Sequence, residues 1–208
     1  MQKLKELKMK ENLLPKLGFG TASIALGSQM EAERTLKFAL ENGIRYFDTA
    51  PLYGGGQAEV RLGQALKDAP KNIMVSTKCG RYRDYGTAGP ASSGLDDTWD
   101  YSEKTIRESI NLSQDRLNRE FLDIVYLHDI ETSPKEAFEV GLPLLREMQT
   151  KGVVGAIGAG CNTVEGLLSA IEAGASDILL VAGRWTLLDR SAGRELLYKA
   201  ELNGAHIV

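Results

Sequence analysis

Short, nearly continuous apolar runs alternate along this chain with longer stretches in which apolar residues recur every three or four positions. Runs of four to eight apolar residues bounded by glycine or proline predict buried strands, and the three-to-four spacing predicts amphipathic helices. The strand candidates are "KLGFG" (16–20), "IRYFD" (44–48), "NIMVSTK" (72–78), "LDIVYLH" (122–128), "GVVGAIG" (152–158), "DILLVAG" (177–183) and "GAHIV" (204–208). Helices are expected over Gln29–Asn42, Gln57–Lys67, Ser102–Leu117, Pro134–Lys151, Thr163–Ala173 and Ser191–Asn203. Gly43, Gly152, Gly174 and Gly204 follow four of these directly, where glycine supplies the left-handed residue that stops a helix. Ser102 reads as an N-cap, and Pro134 suits a first helical turn.

Strands that are apolar on both faces favour a parallel sheet covered by helices. Strict alternation of strand and helix, with no antiparallel run, leaves a doubly wound sheet or a (β/α)8 barrel. A doubly wound dinucleotide fold wants GxGxxG after an early strand. "GFGTAS" lacks the third glycine, and "GAIGAG" comes too late. The expected fold is therefore α/β, a (β/α)8 TIM barrel, as a single domain over residues 1–208. Residues 80–101, "GRYRDYGTAGPASSGLDDTWDY", form the longest stretch without periodicity. A loop of that length beside a strand end is expected to wall a pocket, with Tyr82, Arg83, Tyr85 and Trp99 offering stacking and hydrogen bonds.

Composition narrows the function more than the fold. With 208 residues, 43% hydrophobic and 25% charged, the chain has an ordinary globular make-up. A formal net charge of −3 gives no basic footprint for nucleic acid. No apolar run approaches a membrane span, and the charged start "MQKLKELKMKENLLPKLG" lacks the apolar core of a signal peptide. Cys79 and Cys161 lie far apart and fit a reduced cytoplasmic pair. His128 and His206 are the only histidines, which excludes a His-rich metal site. The expected partner is a small molecule, handled by a monomer or weak homo-oligomer.

The chemistry gathers at strand ends. "RYFDTAPLYGGGQAE" (45–59) closes the second strand with Asp48 and breaks it with proline and glycine. Tyr53 then falls on a strand-to-helix loop. Lys78 closes the third strand and His128 the fourth. In a barrel all parallel strands end on one face, so these four residues converge there. A phenol, with a pKa of about 10, is a poor acid or base near neutrality. A neighbouring ammonium favours the phenolate, and a carboxylate keeps that ammonium charged and in place. Tyr53 is then suited to give a proton to a carbonyl oxygen, or take one back, as hydride moves at carbon. Taken singly, each residue has a plain structural role: Asp48 as a cap, Tyr53 as a rim aromatic, Lys78 at the surface, His128 in a core hydrogen bond. The residues also admit a Schiff-base lyase using Lys78. "GGG" at 54–56 lacks the Lys-Ser/Thr of a phosphate loop and reads as room for close approach.

"DTAPLYGGGQAEVRLGQAL", "STKCG" and "DIVYLHD" resemble the signature blocks of the aldo-keto reductases, from "LGFGTA" at 17 to the last residue. "CGRYRDYG", "WDYSEKTIRESI" and "LLVAGRWTLLD" look most like its aldose- and pyridoxal-dehydrogenase branch. The resemblance implies an NAD- or NADP-dependent oxidoreductase with Asp48, Tyr53, Lys78 and His128 as its catalytic tetrad. It implies cofactor contacts from Gly20, Thr21, Asp48, Asn162, Arg184 and Trp185. A non-catalytic reductase-fold subunit that binds cofactor without turnover is the further alternative. The resemblance departs at two points. Gly160 and Cys161 stand where the family carries a Ser-Asn pair, leaving Asn162 to serve, and Ala182 stands in place of a glutamine. Seven strands are counted where a full barrel of about 250 residues has eight. The expectation is a barrel truncated after its seventh strand, weakly active or inactive alone.

Overall fold

The computed structural model describes residues 14–82, 98–193 and 195–208. Seven strands form one parallel sheet in consecutive spatial order, each paired with the next one along the chain apart from a small hairpin. The first three are β1 (Phe19–Gly20), β2 (Tyr46–Asp48) and β3 (Met74–Cys79). The hairpin follows, made of β4 (Arg81–Tyr82) and β5 (Thr98–Trp99). The sheet then continues with β6 (Leu122–His128), β7 (Val154–Cys161), β8 (Ile178–Val181) and β9 (His206–Ile207). Consecutive order with a helix between neighbours is the topology of a (β/α) barrel; β1 and β9 stand at the sheet's two edges.

The register settles which side chains face which way. Tyr46 pairs with Met74, Asp48 with Ser76, Lys78 with Tyr126 and His128 with Gly160. Alternate residues of a strand point to opposite faces. Phe47, Val75, Val125, Leu127, Ile157, Ala159 and Leu179 thus pack outward in the larger core, beneath the helices. Tyr46, Ile124, Tyr126, Ala156 and Ile178 form a separate inner cluster with Leu14, Met74 and Leu180. Asp48, Ser76, Lys78 and His128 share that inner face, Ser76 level with Ile124 and Lys78 with Tyr126.

The covering helices are α1 (Gln29–Glu41), α2 (Gln57–Leu66), α3 (Glu103–Leu117), a helical run from Pro134 that ends in α4 (Leu142–Thr150), α5 (Val164–Glu172) and α6 (Glu195–Leu202). Ser28 caps α1 in a capping box with Glu31, and Ser102 caps α3 as its sequence position predicts. The four helix-stopping glycines all have positive φ. The helix expected over Pro134–Lys151 is not uniform. Its first turn, Pro134–Glu136, runs into a π-helical segment, Ala137–Gly141, before α4 resumes. Pro143 explains the wide turn: it has no N–H to give and its ring cannot sit under the preceding carbonyls.

The long aperiodic stretch also holds more order than expected. β4 and β5 pair antiparallel, with Arg81 opposite Trp99 and its guanidinium 4.9 Å from the indole centroid. A two-residue ladder is too short to register as alternation in sequence; the cation–π pair adds to its backbone pairing and to the bond from the Asp100 N–H to the Gly80 carbonyl at 3.0 Å. Residues 83–97, which include the expected wall residues Arg83 and Tyr85, lie outside the described residues.

Candidate active site

Lys78 is the centre of the site. It is 2% exposed, and its ammonium donates to Asp48 Oδ2 at 2.6 Å, the Thr49 carbonyl at 2.8 Å and the Tyr53 hydroxyl at 3.2 Å. Three donors thus meet three acceptors, one of them the phenol. Burial alone would push Lys78 down; the Asp48 carboxylate and Tyr53 outweigh it and hold the ammonium above the ordinary lysine value. The His128 ring lies edge-on to Tyr53, centroids 6.3 Å apart at 88°. Burial, then the charges of Lys78 and Arg81, pull His128 well below the ordinary histidine value, so it is neutral at physiological pH. Asp48, Tyr53, Lys78 and His128 are therefore brought together as their strand-end positions predict.

The loop bearing Tyr53 is shaped by its glycines. Gly54, Gly55 and Gly56 have φ of 62°, 61° and 88°, three successive left-handed residues that side chains would resist. The run turns the chain from β2 into α2, and Gly56 is the N-cap. Two groups not singled out in the sequence then pin the turn. Glu59, fully buried in the first turn of α2, accepts from the Thr77 hydroxyl at 2.6 Å and pairs with Arg116 at 3.1 Å. The Arg116 guanidinium lies against Gly56, where a Cβ would overlap it. Thr77 precedes Lys78 on β3, so Glu59 ties the elements carrying phenol and ammonium to each other. In sequence it looks like any acid in a first helical turn.

A line of hydroxyls runs beneath Asp48. Ser76 donates its one hydrogen to Asp48 Oδ1 at 2.6 Å. Tyr46, 2.9 Å from Ser76 Oγ, must then donate to it, and Tyr126, at 3.3 Å, to Tyr46. Burial raises both tyrosines, so neither is ionised near neutrality. Ser76 and Tyr46 lie within segments already read as strands, and only the register shows that their hydroxyls meet.

The other expected residues divide. Gly20 pairs with Asp48, and the space a Cβ would take there is open. Thr21 is buried, its hydroxyl donating to the Asp48 carbonyl at 2.9 Å. Asn162, exposed at the end of β7, donates to Asp129 Oδ1 at 2.9 Å and to Glu131 at 3.3 Å. Arg184 reaches the Asn162 carbonyl at 2.6 Å and Asp189 at 2.8 Å. Trp185 turns into its own loop, packing over Gly193 with Arg190 5.1 Å from its centroid. Asp129, which the sequence shows only as the neighbour of His128, joins Arg81, Asn162 and His128.

The parallel strands of this α/β half-barrel thus bring a carboxylate, an ammonium, a phenol and an imidazole together. The chain belongs to the aldo/keto reductase family, whose profile matches residues 16–208. It is 38% identical over 213 residues to the D-threo-aldose 1-dehydrogenase of a Pseudomonas species, covering 94% of this chain and 64% of that protein. It is 32% identical to the pyridoxal 4-dehydrogenase of Microbacterium luteolum, covering 92% of this chain and 65% of the relative. Among solved structures, an aldo-keto reductase from Bacillus halodurans in its holo form superposes with a TM-score of 0.76 at 27% identity. That match covers 93% of this chain and 60% of the other. The chain thus spans somewhat less than two thirds of these relatives' length. Among the described residues, no helix is long and apolar enough to cross a membrane.

Proposed function

We propose that the protein transfers a hydride between a nicotinamide, NAD or NADP, and an aldose, aldehyde or ketone, with Tyr53 as general acid and base. The observation that carries this reading is the single ammonium of Lys78 bonded to both the Asp48 carboxylate and the Tyr53 hydroxyl. Lys78 orients the phenol and favours negative charge on it as its proton leaves. Asp48 keeps the ammonium charged. Neutral His128 orients the carbonyl oxygen by hydrogen bonding, and its burial keeps it from competing as an acid. The nicotinamide, when bound, supplies or accepts the hydride. The open space at Gly20 and the exposed Asn162 fit contacts to that cofactor, and Thr21, Asp48, Arg184 and Trp185 complete the proposed set. The names of the dehydrogenase relatives support an aldose or related aldehyde as substrate. The further proposals are one barrel domain over residues 1–208, acting in the cytoplasm as a monomer or weak homo-oligomer.

The Schiff-base alternative requires a neutral amine nucleophile. Lys78 is instead held as an ammonium with its donors engaged. A panel of aldoses and aldehydes, followed by nicotinamide absorbance in both directions, tests the reading. Tyr53→Phe is expected to lower turnover at least about a hundredfold, the low end for a general acid–base group. Near-normal turnover in Tyr53→Phe, with chemistry rate-limiting, would remove Tyr53 from this role.

A further inference from the structure

His128 has two ring nitrogens, and its use as a donor depends on which one carries the proton. Nε2 lies 3.7 Å from Asp129 Oδ2, the two side chains being 7% and 10% exposed. That is too long for a hydrogen bond but close enough for the carboxylate to favour N–H over a lone pair on the nitrogen facing it. Nδ1 is buried with no hydrogen-bond partner. A proton there would be an orphaned buried donor, which proteins avoid more strictly than an unfilled acceptor. Two independent observations thus point to the same tautomer.

Asp129 is itself built into place. Its φ of 51° is left-handed, a conformation that costs energy for a residue other than glycine. Its backbone N–H donates to the Gly160 carbonyl at 2.7 Å, so the strain is held by β7. Its carboxylate accepts from Asn162 on Oδ1 and from Arg81 on Oδ2. Arg81 is fixed in turn by Trp99. Three separate elements, the β4–β5 hairpin, the end of β6 and the end of β7, are spent on orienting one carboxylate beside His128.

We infer that Asp129, held by Arg81 and Asn162, is a positioning residue that selects the Nε2–H tautomer of His128. This rests on the hydride-transfer reading only for its purpose: with the His128 and Tyr53 rings perpendicular and 6.3 Å apart, an N–H on the imidazole attracts a carbonyl oxygen, whereas a lone pair would repel it. The tautomer itself needs neither cofactor nor turnover to be observed.

The chain has only two histidines, so long-range 1H–15N spectra of the 15N-labelled protein at pH 7.5 read His128 directly, with His206→Gln giving the assignment. The wild type is expected to show a protonated ε2 nitrogen and an unprotonated δ1 nitrogen for His128. Asp129→Asn keeps the side-chain shape and tolerates the left-handed backbone, and Asp129→Gly removes the carboxylate without backbone strain. In both, the minor Nδ1–H form is expected to rise at least about twofold over wild type, the unpartnered Nδ1 limiting the gain. A wild-type His128 protonated mainly on Nδ1, or an Nε2–H pattern unchanged in both variants, overturns the inference. Turnover of the substrate panel tests the hydride-transfer reading separately: a wild type without turnover counts against that reading and leaves the tautomer result standing.

Discussion

Replacing Asp48 with asparagine is expected to reverse the way alkaline pH acts on stability. Lys78 is buried and Asp48 is only 15% exposed, so their 2.6 Å pair is poorly screened by solvent. Asparagine keeps the shape and removes the charge. It also offers one acceptor oxygen where Ser76 and Lys78 each now have their own. Taking one partner from a buried ion pair typically costs about 3–5 kcal/mol, because the other charge is left uncompensated. In the wild type Lys78 lies above its unfolded value of 10.5. Its contribution to stability is therefore complete below that pH and is lost as pH rises through the folded value. With the carboxylate gone, burial is the dominant influence left, and it pushes Lys78 below the unfolded value. The unfolded chain then binds more protons than the folded one as pH nears 10.5, so the variant gains stability as pH rises. The Asp48→Asn deficit should shrink by up to about 1.4 kcal/mol per pH unit. Urea unfolding of both proteins at several pH values between about 7 and 10 measures it. A deficit under about 1 kcal/mol at pH 7, or one that stays constant or grows with pH, would refute the central place given to this pair.

The remaining expectations concern the surroundings of the pair. Arg116→Met leaves the Glu59 carboxylate buried and unpaired, and should cost about 3–5 kcal/mol in urea unfolding. Adding Glu59→Met should recover much of that loss, and equal instability of the single and double variants would contradict the pairing. His128 has a folded value well below 6.5, so its contribution is present above about pH 6.5 and is lost as pH falls and the unfolded chain takes up the proton. The stability difference between wild type and His128→Gln should therefore fall by up to about 1.4 kcal/mol per pH unit from about pH 6.5 toward 5. A flat difference over that window would mean that His128 titrates normally in the fold.

Much of this protein can be read from its residues in order, because the relevant signals are local. Apolar runs and helical spacing mark every strand of the main sheet and every covering helix, since burial on both faces or on one stripe leaves a periodic trace. Strand-end positions by themselves group Asp48, Lys78 and His128 on one face, as parallel strands in a barrel share a direction. The glycine run at 54–56 reads in sequence as a loop with room for close approach, and only the backbone shows three successive left-handed residues there. Tertiary structure alone decided the rest. The hairpin of Arg81–Tyr82 with Thr98–Trp99 is two residues long, and a contact across fifteen intervening positions has no period. Glu59 is an ordinary first-turn acid until β3 and α3 bring Thr77 and Arg116 to it. The hydroxyl line from Tyr126 to Asp48 joins three strands, and its direction follows only once Ser76 is seen to donate to the carboxylate. The carboxylate of Asp129 meets His128, Arg81 and Asn162 because three strand ends meet, and sequence distance carries no information about such a meeting.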